Sequence, residues 1–314
     1  MTKKLTVTIG IPAYNEQENI QAMLKSVLAQ KGNNFVIKKI VVVSDGSSDQ
    51  TVSKVKEIQK ESHLISLVEG KTRKGKIIRL NKIYSLNKSD ILFTFDADIV
   101  LAHDEVIQKV VNAFNENVNI SVAVCHQVPV GPTNFVESVI YRAYRIWEDT
   151  RIPVNDGDHI HNLQGSASAL SKNLAAKMKY PRTLGTDSGY LYLMGKKYGG
   201  FKYVSEAPIY YRTAKTIEDF RKLSLRTLDT RFDHMVAHMG AGVLSYYRIS
   251  SKYKTRALID NFIKDPIYTV LAMMLNIYVR IFPIKRQSKS GAKWDIVVTS
   301  KDIIEVNNIK LHSL

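Results

Sequence analysis

The sequence predicts an α/β fold: a parallel, doubly wound sheet flanked by helices, with a helical extension toward the C-terminal end. Three observations predict it. Strand-like apolar runs alternate with amphipathic helical runs three times within about the first ninety residues, the pattern of a parallel wound sheet. Each strand-like run gives way to a polar turn segment. One short apolar run, Ile91 to Phe95, stops at two carboxylates, Asp96 and Asp98. Right-handed crossovers bring all such loops to one sheet edge. The segments Pro12–Glu16, Asp45–Asp49 and Asp96–Asp98 are therefore expected to converge on a single crevice.

The elements follow in order. Leu5 to Ile11 is a β-branched strand, stopped at Pro12. Asn15 reads as a helix N-cap with Glu18 as its capping-box partner, ahead of an apolar stripe of Ile20, Met23, Leu24, Val27 and Leu28. Lys39 to Val43 is the second strand, and Ser44–Asp49 the turn before a helix over Thr51 to Lys60. Leu64 to Val68 is a third strand. Lys71 to Lys76 is a basic glycine loop before a helix over Ile77 to Leu86. Beyond Asp98 the pattern loosens. Helices are expected over Asp104–Phe114, Phe135–Trp147, Lys172–Met178 and Tyr190–Tyr198, and strands over Ile120–Val128, Leu163–Leu170 and Phe201–Val204. Ile217 to Met239 reads as one long basic helix. Pro266 to Phe282 is an apolar run too short to span a bilayer, which needs about 20 apolar residues. It reads first as a core helix and second as an interfacial helix flanked by Lys285, Arg286, Lys289 and Lys293.

The 314 residues suit one large domain or a domain with an appendage; the expected division is 1–240 and 241–314. A hydrophobic share of 45% excludes a disordered chain. Cys125 is the single cysteine, so disulfide frameworks and cysteine metal sites are excluded. The start of the sequence has no signal-peptide core, and a cytoplasmic location follows as the default. The formal net charge of +16 favours an anionic partner: nucleotide phosphate, nucleic acid or an anionic membrane surface. No nucleic acid is expected, because the lysines are dispersed and no nucleic-acid motif is present.

Asp96 and Asp98 at a strand end form a hard oxygen site suited to Mg²⁺ or Mn²⁺ shared with phosphate. The competing reading is a solvated strand-end turn. Asp187 in Gly185-Thr-Asp-Ser-Gly189 reads on its own as a helix N-cap. His234 and His238 stand four residues apart, a spacing that fits either one metal ligand or a structural pair.

With these residues in view, the chain resembles the inverting family-2 glycosyltransferases of the GT-A fold over residues 5 to about 235, which implies a mixed, mostly parallel sheet flanked by helices. Ile11-Pro12-Ala13-Tyr14-Asn15-Glu16 is similar to the family's first nucleotide-facing loop. Val43-Ser-Asp45-Gly-Ser-Ser-Asp49 is similar to its second. Gly75-Lys76 with Leu80-Asn81 matches a further pair, and Asp96-Ala-Asp98 matches the metal-binding Asp-x-Asp. Gly165 resembles the acceptor-side strand, and Gly185-Thr186-Asp187 the segment that supplies the catalytic base. Two departures stand out. Thr186 replaces the usual glutamate, and Leu228-Asp-Thr-Arg231-Phe232 is a poor match to the processive Gln-x-x-Arg-Trp, which argues against a processive polymer synthase.

The resemblance implies a nucleotide-sugar donor, UDP-linked through Asp45, and a glycan or lipid-linked acceptor. It implies Asp187 as general base, Asp98 as metal ligand with Asp96 beside the ribose, and Mn²⁺ or Mg²⁺ as cofactor. Pro12, Ala13, Tyr14, Glu16 and Lys76 would line the nucleotide side, and Gly165 the acceptor side of the substrate site. Arg231 would clamp diphosphate or an anionic acceptor, and His234 would be a third metal ligand. Two rival readings are a catalytically silent nucleotide-sugar binder, opposed by the intact Asp96, Asp98 and Asp187, and a nucleotidyltransferase, which would need a glycine-rich loop after the first strand.

Overall fold

The structure is a computed structural model that describes residues 4–184, 187–228, 231–283, 301–302 and 304, with the side chains of 226–228 and 231–234 outside the description. Among the described residues eight strands form one sheet. The first half is the expected wound unit. Strands β1 (Leu5–Ala13), β2 (Phe35–Ser44), β3 (Ile65–Glu69) and β4 (Ile91–Phe95) run parallel. Helices α1 (Ile20–Leu28), α2 (Thr51–Glu61) and α3 (Lys76–Leu86) connect them. Val7, Ile9 and Ile11 on β1 are buried, as are the β4 residues Ile91 to Phe95, so these strands sit at the centre of the sheet with helices on both faces.

The second half turns mixed. After β5 (Ile99–Leu101) and α4 (Val106–Glu116) come β6 (Ile120–Pro129) and α5 (Phe135–Arg151). Then follow β7 (Ala167–Ser171), α6 (Lys172–Lys177), α7 (Ser188–Tyr198) and β8 (Gly200–Tyr211). β7 is antiparallel to both β4 and β6, β8 runs parallel to β6, and β5 pairs antiparallel with β8. The sheet order is β3-β2-β1-β4-β7-β6-β8-β5. Cys125 is buried on β6.

Four expectations change. Asn15 is not a helix cap: α1 begins at Ile20, after Asn19, with no side-chain cap. The strand expected from Leu163 begins at Ala167, because Gly165 takes a positive φ of 71°. The late strand reaches Tyr211, since β6 and β5 pair along it. The run expected as one helix is divided into α8 (Ile217–Leu228) and α9 (Arg231–Met239), residues 229 and 230 lying outside the described ones.

A hairpin of α10 (Ser251–Lys264) and α11 (Pro266–Ile281) packs on α5. Its inner positions Ala272, Leu275 and Val279 join Val139, Ile140, Ala143 and Phe220 in a separate apolar cluster. Much of the rest of α11 is exposed, which corrects the core-helix reading. An all-apolar run does not reveal which stripe will find a partner. Among the described residues no helix is long and apolar enough to cross a membrane.

Candidate active site

The site begins where β1 and β2 end. Asn15 has a φ of 51°, a left-handed conformation that asparagine tolerates better than most residues. That conformation carries its side chain to the second loop, where its Oδ1 accepts from Ser48 N at 2.9 Å. Glu16 N donates to Thr51 Oγ1 at 2.7 Å and Gln17 N to Asp49 Oδ2 at 3.1 Å. The two loops are thus laced together, as the crossover argument required. Pro12 and Ala13 pair with Val43 and Ser44 at the buried strand ends. They shape the floor, and their side chains are covered.

Asp45 is only 4% exposed and binds the glycine loop. Its Oδ1 accepts from Lys74 N at 2.7 Å and Arg79 Nε at 2.6 Å, and its Oδ2 from Gly75 N at 2.8 Å. Gly75 has a φ of 101°, which glycine alone adopts readily. This turn starts α3 with Lys76 pointing into the crevice.

Lys76 joins the centre together. Its Nζ lies 2.7 Å from Asp96 Oδ1, 3.0 Å from Asp187 Oδ2 and 3.1 Å from the Gly165 carbonyl. Burial works against its charge, but the two carboxylates outweigh burial and hold the ammonium above its ordinary pKa. Asp96 is pushed up to about 6, by burial first, with the charges of Asp98 and Asp187 adding and Lys76 opposing. Gly165 abuts the same group: a Cβ added there would come within 2.8 Å of Asp187 Oδ1.

The first loop carries a second cation, Lys301, that no local pattern in the chain marks. Lys301 Nζ bonds the carbonyls of Tyr14 and Asn15 at 2.7 and 3.0 Å and forms an ion pair with Glu16. Asn19 Nδ2 donates to Lys301 O at 2.6 Å, and Ile304 is buried beside Val100, Val130 and Tyr210. Tyr14 faces two cations, Arg73 Cζ at 4.5 Å from its ring centroid and Lys301 Nζ at 6.0 Å. Glu16 is pushed up to about 8, chiefly by burial, then by Asp98, with Lys301 opposing.

The donor set suits a hard divalent cation. Glu16 Oε2 is buried without a hydrogen-bond partner, and Asp98 and Asp96 each raise the pKa of Glu16. Clustered carboxylates with an orphaned oxygen fit Mn²⁺ or Mg²⁺. Among the described residues no three His, Cys, Asp or Glu side chains form a ready-made cage. His238 bonds Thr183 Oγ1 at 3.0 Å. His234 and Arg231 stand on α9, their side chains outside the description.

The fold and this strand-end cluster define the class: the GT-A glycosyltransferases. The comparisons with known proteins agree. A family model, glycosyl transferase family 2, matches residues 8–178. The chain belongs to that family. It is 24% identical over 156 residues to an uncharacterised glycosyltransferase of Synechocystis, covering 49% of each chain. It is 32% identical over 98 residues to the poly-β-1,6-N-acetyl-D-glucosamine synthase of Staphylococcus aureus, covering 31% of this chain and 23% of the relative. The matches thus span about half, and about a quarter, of these relatives' lengths. Among solved structures, a mannosyltransferase of Pyrobaculum calidifontis in complex with GDP-Man and Mn²⁺ superposes with a TM-score of 0.60. It is 18% identical and covers 90% of this chain and 77% of its own. Staphylococcus aureus TarS 1–349 in complex with UDP-GlcNAc gives 0.53 at 15% identity, covering 88% of each.

Proposed function

We propose that this chain is an inverting glycosyltransferase that moves a sugar from a nucleotide-diphosphate donor, UDP-linked, to an acceptor hydroxyl. The observation that carries the reading is the meeting of β4, α3 and α7 at one point, where Lys76 touches Asp96 and Asp187. Donor-side and acceptor-side groups are then within one sugar's reach of each other. The nucleotide sugars held by the structural neighbours support the donor class.

Asp187 takes the proton of the acceptor hydroxyl. A single base facing the leaving group gives one in-line displacement and inversion at the anomeric carbon. Asp98, with Asp96 and Glu16, would hold Mn²⁺ or Mg²⁺, which supplies Lewis-acid stabilisation to the departing diphosphate. Lys76 adds positive charge on the same side. Asp45 has three protein donors, and a carboxylate offers about four acceptor positions. The remaining one is available to a uracil N–H. Tyr14 packs beside the base. Arg231 and His234 remain in the reading as diphosphate clamp and third metal ligand.

Residues 1–240 form the catalytic domain in this reading, and 241–314 a membrane-peripheral region that suits a lipid-linked acceptor. A donor panel tests the reading. UDP-sugars should raise the melting temperature more than GDP-sugars in the presence of Mn²⁺, and proton NMR of the transferred sugar should show the opposite anomer. Retention of configuration would remove the single-base mechanism.

A further inference from the structure

We propose that the α10–α11 hairpin lies in the interface of an anionic lipid bilayer as a monotopic anchor, entering it by the face turned away from α5. The hairpin is held to the fold by polar contacts on its inner side. Asn261 Nδ2 donates to Asp149 Oδ2 at 2.7 Å, and Arg142 reaches Asn261 Oδ1 at 3.1 Å and Asp265 Oδ2 at 2.9 Å. Thr269 Oγ1 closes the hairpin on Asn261 O at 3.0 Å. With the inner side fixed on α5, the outer side is also fixed.

That outer side is apolar where a soluble protein would be polar. Ile259 and Ile263 on α10, and Ile267, Met274, Ile277 and Ile281 on α11, are each more than half exposed, Ile263 by 75%. The four α11 residues recur at helical spacing, so they form one stripe along its length. Single exposed apolar residues are ordinary, but a contiguous patch this large marks a binding face. The helix has 16 residues, about 24 Å at 1.5 Å per residue. That is shorter than a hydrocarbon core of roughly 30 Å. The face can therefore enter one leaflet edgewise and cannot span both.

Charge selects the occupant. Residues 251–294 hold nine Lys and Arg against two Asp, a net +7 out of the chain's +16. Between Pro266 and Trp294 the sequence carries Arg280, Lys285, Arg286, Lys289 and Lys293 and no acid. A second copy of the hairpin, whose Lys252, Lys254, Lys264 and Arg280 are exposed, would set cation against cation. An anionic bilayer satisfies both features, receiving the apolar stripe and pairing its headgroups with the cations.

The inference deepens the membrane part of the proposed function. Its test reads lipid binding alone, so its failure leaves the donor site untouched. The full chain is floated with phosphatidylcholine vesicles, with and without phosphatidylglycerol, at low and high salt. The wild type should float only with phosphatidylglycerol. The pair Ile263→Glu and Ile277→Glu should lower partitioning by about tenfold or more. These variants should keep the wild-type melting temperature and UDP binding, since both positions are exposed. Lys285→Gln with Arg286→Gln should weaken binding about fivefold per charge. A wild type that stays at the bottom at low salt overturns the proposal. So does flotation unchanged by the two glutamates, or a dimer in sedimentation that binds no vesicles.

Discussion

Lys76 Nζ lies 3.0 Å from Asp187 Oδ2. The same ammonium touches Asp96, so one positive charge ties the end of β4 to the start of α7. It also fixes the carboxylate assigned as base. Replacing Asp187 by Asn keeps the shape and removes the proton acceptor. The sugar-transfer rate should fall about 10² to 10⁴-fold, while UDP affinity stays within a few-fold. Transfer at the wild-type rate would exclude Asp187 as the base.

Gly165→Ala is expected to act through the same carboxylate. The φ of 71° disfavours any Cβ, and the added atom would press on Asp187 Oδ1 at 2.8 Å. The backbone strain alone is about 1–2 kcal/mol. The turnover number should drop with little change in donor KM, because the atoms nearest the added Cβ belong to Asp187 and Ser188 and none to the first two loops. A change confined to KM would place Gly165 in donor binding instead.

The raised carboxylates set a pH dependence. Glu16 stands at about 8 and Asp96 at about 6 in the fold, both above their unfolded values. Their contribution to stability is full in acid and is lost as pH rises through those values. The protein in EDTA should therefore melt at progressively lower temperature from about pH 5 to pH 8, in scans at constant ionic strength. Mn²⁺ needs the ionised carboxylates, so the stabilisation it gives should grow over the same range. A Mn²⁺ effect that is flat with pH would remove Glu16 and Asp96 from the metal's surroundings.

Lys301 holds the first loop through two carbonyls and the Glu16 carboxylate. Lys301→Ala should loosen Tyr14 and weaken UDP binding by about tenfold, since a partly buried charged group is worth roughly 1.5–3 kcal/mol of hydrogen bonding. Calorimetry reads it directly. An unchanged affinity would make the contact a fastening of the tail alone.

These contacts show where the sequence could be read and where it could not. The crevice was legible because alternation of strand and helix, with crossover of one hand, leaves the loops after β1, β2 and β4 no other place to go. Asp96 and Asp98 were legible because a buried strand cannot end in charge except at a surface. Lys301 was not, since 285 residues separate it from Glu16 and nothing local marks it. Asn15 misled because asparagine serves helix caps and left-handed loop positions equally well. The pairing of β7 against β4 was also hidden: small residues such as Ala167 and Ala169 carry no signal of direction. The outward face of α11 became visible only when α5 was seen to take one stripe of it.

The central claim is that Asp98 belongs to a metal-dependent nucleotide site. Calorimetry of UDP binding, with and without Mn²⁺, on the wild type and on Asp98→Asn tests it most directly. Binding should need Mn²⁺ in the wild type and be largely lost in the variant. Equal binding in both proteins, with or without Mn²⁺, would contradict it and return Asp96-Ala-Asp98 to a structural turn.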